Sequence, residues 1–213
     1  MQKQGLILTI SALSGTGKDS VCSALLKMDE NISFFATATT RDKREGEQDG
    51  IDYHFLTQEK FMQDVKDGKF MEWVKLAYNG HYYGTLRHVI EDKLNQGLDV
   101  TSDLTWDGVA TMKKEWPDQT VRFLLMPPSA EELEKRLYLR SQKSAENIEN
   151  TKKRIVSCME DAKRWQENDY QFTSTDLVGS NLKDYDYVII NENLDDTVNK
   201  VHNIIKQERA KRG

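Results

Sequence analysis

Residues 12–19 read Ala-Leu-Ser-Gly-Thr-Gly-Lys-Asp, directly after the β-rich run Gly5-Leu6-Ile7-Leu8-Thr9-Ile10. A short apolar run bounded by a Gly-rich turn is expected to be a buried strand. Beyond the turn, Val21, Cys22, Leu25, Leu26 and Met28 recur at helical spacing. Strand, loop and helix in that order are the setting in which Gly-x-x-x-x-Gly-Lys-Ser/Thr binds phosphate. Glycines let the backbone curl until its N–H groups converge on an anion, and the helix start adds its positive end. Lys18 places a cation on the β- and γ-oxygens of a triphosphate. The loop therefore predicts a chain that grips a nucleoside triphosphate through Ala12, Leu13, Ser14, Gly15, Thr16, Gly17, Lys18, Asp19 and Ser20. By itself the loop says only that a triphosphate binds.

Two positions depart from the pattern. Ala12 stands where the first Gly belongs, and Asp19 stands where a hydroxyl normally ligates magnesium. Asp19 has two readings: a carboxylate ligand for the hard cation, or an acid that caps the helix start. Ser20 lies about 100° further round a helix and is a poor substitute ligand.

Beyond this loop, strand-like runs alternate with helical ones. Extended runs are expected at 34–41, from Tyr53 onward, and at 70–76, 98–104, 120–126 and 187–190. Helices are expected from Thr57 to Gly68, from Leu86 to Gly97, over 106–116, from a Ser129/Glu132 capping box onward, through 148–159, and at the C-terminus. Such alternation implies an α/β fold with a mostly parallel sheet. The segment 166–182 is polar and aperiodic and reads as loop or insertion. With 213 residues, one domain with smaller mobile parts is expected. The formal charge of −5 argues against a general nucleic-acid binder. No run is long and apolar enough to span a bilayer and none has a signal-peptide pattern, so a cytoplasmic protein is expected. Cys22 and Cys158 lack metal or redox spacing and read as small hydrophobes on helix faces.

The segment 39–55 is the most specific. It reads Thr39-Thr40-Arg41-Asp42-Lys43-Arg44-Glu45-Gly46-Glu47-Gln48-Asp49-Gly50-Ile51-Asp52-Tyr53-His54-Phe55. Two arginines three apart on a Gly-containing loop can clamp a phosphate with forked, charge-assisted bonds. The segment resembles the acceptor-binding stretch of guanylate kinases. The resemblance continues in order through Glu72-Trp73, Tyr82-Tyr83-Gly84-Thr85, Pro127-Pro128-Ser129, Glu132-Leu133, Arg136-Leu137 and Val188-Ile189-Ile190-Asn191, and so covers nearly the whole chain.

The resemblance implies a P-loop NTPase core with a parallel sheet flanked by helices, about 1–33, 98–138 and 184–213. A mobile GMP-binding subdomain would span about 34–97, and a helical lid with an insertion about 139–183. It implies transfer from ATP, with Mg2+, to GMP or dGMP, by a monomer or homodimer. Arg41, Arg44, Tyr53 and Tyr83 would hold the acceptor phosphate. Glu72 would accept hydrogen bonds from guanine N1–H and the 2-amino group, with Thr37 and Thr85 touching the base. Arg140 and Arg154 would reach the triphosphate from the lid, with Lys152 and Lys153 competing for the latter role, and Asn191 would lie beside the donor's adenine. Asp103 matches a residue near the metal and phosphates. Thr105 stands where the family has a second Asp that helps read guanine. The alternatives are therefore a nucleotide kinase of shifted base preference, a ribose 1,5-bisphosphate phosphokinase, which shares a Gly-Lys-Asp-Ser loop, and a non-catalytic protein-binding module.

Overall fold

The computed structural model describes residues 5–75, 80–102, 104, 106–141, 148–167, 169–174 and 177–212, with side chains at 140, 141 and 148–154 outside the description. The strands are β1 (Ile7–Ala12), β2 (Ile32–Phe34), β3 (Ala38–Thr39), β4 (His54–Phe55), β5 (Phe70–Lys75), β6 (Tyr82–Leu86), β7 (Asp99–Thr101), β8 (Thr120–Met126) and β9 (Tyr187–Ile190). The helices are α1 (Lys18–Met28), α2 (Gln58–Lys66), α3 (Arg87–Asn95), α4 (Trp106–Glu115), α5 (Ala130–Ser141), α6 (Ile148–Arg164) and α7 (Leu194–Lys211). A five-stranded parallel sheet has the order β2-β7-β1-β8-β9, and a four-stranded sheet the order β4-β3-β6-β5. β1 is buried along its whole length and central in its sheet. The chain order reverses at β1, and ligands of open α/β sheets bind beyond the carboxyl ends of strands at such a point.

The chain divides into two compact units, Met1–Leu8 with Asn31–Ser102 and Asp107–Thr120, and Thr9–Glu30 with Asp103–Trp106 and Val121–Gly213. In the first, β7 pairs with β1 through Ile7↔Val100 and Leu8↔Thr101. Gly5 is required at the entry: a Cβ there would lie 1.8 Å from the Leu98 carbonyl oxygen. The second sheet belongs to this unit. β4 runs parallel to β3, while β6 is antiparallel to both β3 and β5, so the mostly parallel expectation holds for the larger sheet only. α2 follows its sequence signals, with the Thr57 hydroxyl accepting the Lys60 N–H and Gly68 leaving the helix at φ 67°. It buries Phe61 against Ala38 and Leu86, with the Phe61 ring stacked on Phe70 at 4.3 Å.

The β5–β6 ladder contains a bulge between Phe70 and Glu72. Without it, residues two apart would share a face. With it, Phe70 pairs with Leu86 and Glu72 with Thr85. Leu86 and Thr85 are consecutive on β6, so their partners go to opposite faces. Phe70, Tyr82 and Leu86 join the apolar cluster around Phe61. Glu72, Tyr83 and Thr85 are left to the other face.

In the second unit, Leu13, Leu124, Leu133, Leu137, Cys158 and Phe172 share one core. Neither Cys22 nor Cys158 forms a disulfide. The capping box expected at Ser129 is half formed. Ser129 Oγ accepts the Glu132 N–H at 3.2 Å, but the Glu132 carboxylate turns to Arg136 at 3.0 Å. The polar segment after α6 is not a solvated loop throughout, since Tyr170, Phe172 and Leu177 are buried. Its turn is organised by Asp161, a fully buried carboxylate. Asp161 accepts hydrogen bonds from Tyr170 Oη at 2.7 Å, Thr173 N at 2.9 Å, Thr173 Oγ1 at 3.0 Å and Ser174 N at 2.8 Å. Burial and this bond push the Tyr170 hydroxyl up to about 12. At the far end of α1, Asp29 accepts from His202 at 3.0 Å and Arg209 at 2.7 Å, tying α1 to α7. Among the described residues, no helix is long and apolar enough to cross a membrane.

Removing Asp161 strands several buried donors at once. Asp161→Ala is expected to lower unfolding free energy by about 3–5 kcal/mol, read from urea denaturation.

Candidate functional site

The loop after β1 closes on itself through a 3.0 Å bond from Thr16 N to the Leu13 carbonyl. Gly15 and Gly17 adopt φ 88° and 101°, values that non-glycine residues rarely take. Gly17 is the N-cap of α1, and no side chain caps that end. A helix start in this setting is a place where an anion is favoured. Lys18 opens the helix, half-buried, while Asp19 and Ser20 in the first turn are exposed. The capping reading of Asp19 is thus corrected. Gly17 holds the cap position, and Asp19 acts on the helix end only through its charge in the first turn. Ala12 and Leu13 point into the core, so their contribution to the loop comes from the backbone.

The Thr16 carbonyl is fixed from two sides. Asn191 Nδ2 donates to it at 2.7 Å and Arg136 Nη1 at 3.4 Å. Arg136 Nη1 also donates to the Asn191 carbonyl at 3.2 Å, and its Nε donates to Glu132. Together with Gly15, Gly17 and Ser20, these groups line a recess of about 240 Å³. Asn191 lies at this recess. Arg136 carried no role in the sequence reading. Its signal was the Glu132 four residues earlier, a spacing that sets an arginine on a helix face.

The acceptor segment lies in the other unit. Arg41 forms a fork with Glu47, Nη1 to Oε2 at 2.7 Å and Nη2 to Oε1 at 2.5 Å. Its guanidinium lies 4.9 Å from the centre of the Tyr53 ring, and Tyr53 meets Tyr83 edge-on at 6.1 Å. The fork raises the Arg41 pKa still further. The same fork, helped by the Arg44 N–H, holds the Glu47 carboxyl down to about 2. The Arg44 side chain is exposed, and Thr37 is half-buried on the stretch leading into β3. Glu72 is half-buried and accepts the Thr85 hydroxyl at 2.6 Å. Burial pushes its carboxyl up from the ordinary value, with Asp107 adding to the effect and Thr85 opposing it. Arg41, Tyr53 and Tyr83 are thus brought together, as are Glu72 and Thr85. Glu47 was missed as a site residue, although the Gly-Glu pair of the motif contained it. Asp103 and Thr105, and the side chains of Arg140, Lys152, Lys153 and Arg154, lie outside the described residues.

The glycines of the donor loop yield a direct test. A Cβ on Gly17 would meet Asn191 Nδ2 at 2.8 Å in a backbone region closed to side chains. Gly17→Ala is expected to weaken ATP binding about tenfold or more, the equivalent of 1.4 kcal/mol of strain and displaced Asn191, measured by titration calorimetry.

Known proteins resemble this chain along nearly its whole length. The family model described as guanylate kinase matches residues 4–208. A guanylate kinase of Rickettsia felis is 39% identical over 211 residues, 99% of this chain and 98% of that protein. One from Thermotoga maritima is 36% identical over 209 residues, covering 98% and 89%. The crystal structure of guanylate kinase from Anaplasma phagocytophilum superposes with a TM-score of 0.61 at 27% identity, covering 98% of this chain and 88% of that one. A family model that spans residues 4–208 and relatives 36–39% identical across the chain show that it belongs to the guanylate kinase family.

Proposed function

We propose that this protein transfers the γ-phosphoryl group of ATP to GMP, giving ADP and GDP. The observation that carries the reading is the face of β5 and β6 on which Glu72 pairs with Thr85 and Tyr83 reaches toward the Tyr53–Arg41 stack. A carboxylate is the natural reader of guanine, whose N1–H and 2-amino group are adjacent donors. Adenine has an acceptor at N1 and no 2-amino group, so Glu72 would be left unpaired against it, a costly outcome for a buried polar group. Arg41 and Arg44, with the two tyrosine hydroxyls, hold the acceptor phosphate. dGMP carries the same base and phosphate and is accepted as well.

The acceptor phosphate is already anionic, so no general base is required. The chain's task is to position the attacking oxygen and to neutralise charge. Backbone N–H groups of the 14–18 loop hold the donor phosphates. Lys18 follows the β- and γ-oxygens, and Arg140 and Arg154 complete the positive set from the lid. Asn191 faces the adenine end. Mg2+ fits the residues present as an ion held mainly by substrate oxygens. Among the described residues, no three His, Cys, Asp or Glu side chains form a cage, and Mg2+ is usually held by one or two carboxylates plus phosphates. Asp19, exposed in the turn that starts α1, and Asp103 are the residues that would hold it. When bound it supplies further charge neutralisation on the transferring group. We place this activity in the cytoplasm, on small-molecule substrates, in a monomer or homodimer.

A coupled assay with ATP and Mg2+ against GMP, dGMP, AMP, UMP and ribose 1,5-bisphosphate tests the proposal. GMP is expected to be the preferred acceptor. Activity on another acceptor without GMP turnover would sink it.

The Glu72 shift sets a pH dependence. Its carboxyl pKa is raised, so the charged form that reads guanine is lost as pH falls through a value above the ordinary 4.5. The KM for GMP is therefore expected to rise on acidification from above pH 4.5. Glu72→Gln should lose about ten- to a hundredfold in kcat/KM for GMP and should not show this acid limb.

A further inference from the structure

The loop between β3 and β4 is built around its own carboxylates. Asp49 Oδ1 accepts the Phe55 N–H at 2.8 Å and Asp52 Oδ2 the Gln48 N–H at 2.7 Å. Glu47 Oε2 accepts the Arg44 N–H at 2.8 Å. Glu47 also does something the other two do not, because both of its oxygens engage Arg41.

The way it engages Arg41 matters. A guanidinium has five N–H groups in a fixed plane. Glu47 takes one from each terminal nitrogen, and the Asp42 carbonyl takes the second Nη1 hydrogen at 2.9 Å. The two that remain, on Nε and Nη2, lie side by side along one edge, spaced for two oxygens of a single phosphate. Among the described residues no acceptor takes that edge. The ring of Tyr53 at 4.9 Å and that of Phe55 at 5.5 Å fix the plane of the guanidinium. The paired side chains are only 10% and 18% exposed.

We infer that Glu47 is a positioning residue for the acceptor phosphate: it holds Arg41 so that the Nε–Nη2 edge, and no other, is presented to the phosphate of GMP. The inference rests on the GMP reading above. Its opposite is that Glu47 is a rival, occupying Arg41 until a phosphate displaces it. The two differ in sign. A positioning carboxylate strengthens phosphate binding despite its like charge, because it fixes a long, rotamer-rich side chain in advance. A rival weakens binding by its charge and by occupying the fork. The low pKa of Glu47 keeps the pair ionised across the neutral range, so either effect operates at working pH.

The test compares wild type, Glu47→Gln and Glu47→Asp. The KM for GMP, the KM for ATP and kcat are measured, together with the dissociation constants of GMP and guanosine. Glu47→Gln is expected to raise the KM and dissociation constant for GMP about ten- to a hundredfold. The KM for ATP and the affinity for guanosine should stay within about twofold, a difference well under 1 kcal/mol. Glu47→Asp, a shorter carboxylate, should recover part of the loss. An unchanged or lower KM for GMP in Glu47→Gln would overturn the inference, and so would equal losses for GMP and guanosine, which mark a loosened loop. A wild type that binds GMP no better than guanosine would overturn the GMP reading itself and the inference with it. A wild type that prefers GMP, with a Glu47→Gln that keeps the preference, would overturn the inference alone.

Discussion

A carbonyl turned toward an anion would repel it, so a loop meant to hold phosphates has to keep its carbonyl oxygens occupied. At Thr16 this oxygen is held by Asn191 and Arg136, one from the end of β9 and one from α5. Much of the second unit serves this bond. The β8–β9 register, Met126↔Ile190, brings the chain to Asn191. The Leu133 and Leu137 side chains of α5 pack in the core under the loop, close enough that a Cβ on Gly15 would strike Leu137 at 2.8 Å. The glycines are therefore needed twice over, for their dihedral angles and for the absence of a side chain.

A second device recurs in both units. Carboxylates that would be costly to bury alone are surrounded by N–H and O–H donors. Asp161 gathers a turn, Glu47 gathers the acceptor loop, and Asp99 takes the Leu6 N–H at 2.8 Å at the entrance to β1. Each converts an irregular stretch, where backbone groups lack ladder partners, into a fixed shape. This explains how a chain with loops as long as 40–53 can still set side chains for recognition. The cost of such carboxylates is that each depends on several donors at once.

Regular elements were readable wherever one physical signal dominated. The strand limits at 120–126 and 187–190 follow from short β-rich runs, broken only by Arg122 in the first, and α2 from a hydroxyl at one end and a glycine at the other. The Gly-rich loop after β1 and the two arginines of the 40–53 loop stood out as candidates because the chemistry they suggest demands particular residue types at fixed spacing. Contacts between distant residues were not. The link from Arg136 to Thr16 spans 120 positions, and no local pattern announces it. Glu47 sits in a charged run where any of several acids could have met Arg41. No strand was expected at 82–86, where Gly84 and Thr85 interrupt any apolar alternation and Leu86 was given to the following helix. In 166–182, three buried hydrophobes at irregular spacing gave no period, and the carboxylate that organises them lies outside the segment, on α6. Of the two readings of Asp19, the cap rested on acids favouring helix starts, yet the left-handed glycine before Lys18 already fills that position.

The bulge between Phe70 and Glu72 has an evolutionary consequence. A substitution at Glu72 changes one contact, whereas gaining or losing a single residue elsewhere in β5 would turn the strand over and exchange its greasy side for its recognition side. Loss at the bulge itself is the exception, because removing Met71 would leave Phe70 opposite Leu86 and Glu72 opposite Thr85 in a regular ladder. Selectivity in this sheet is thus encoded in the counting of residues as much as in their identity. Drift along this strand is freer in composition than in length.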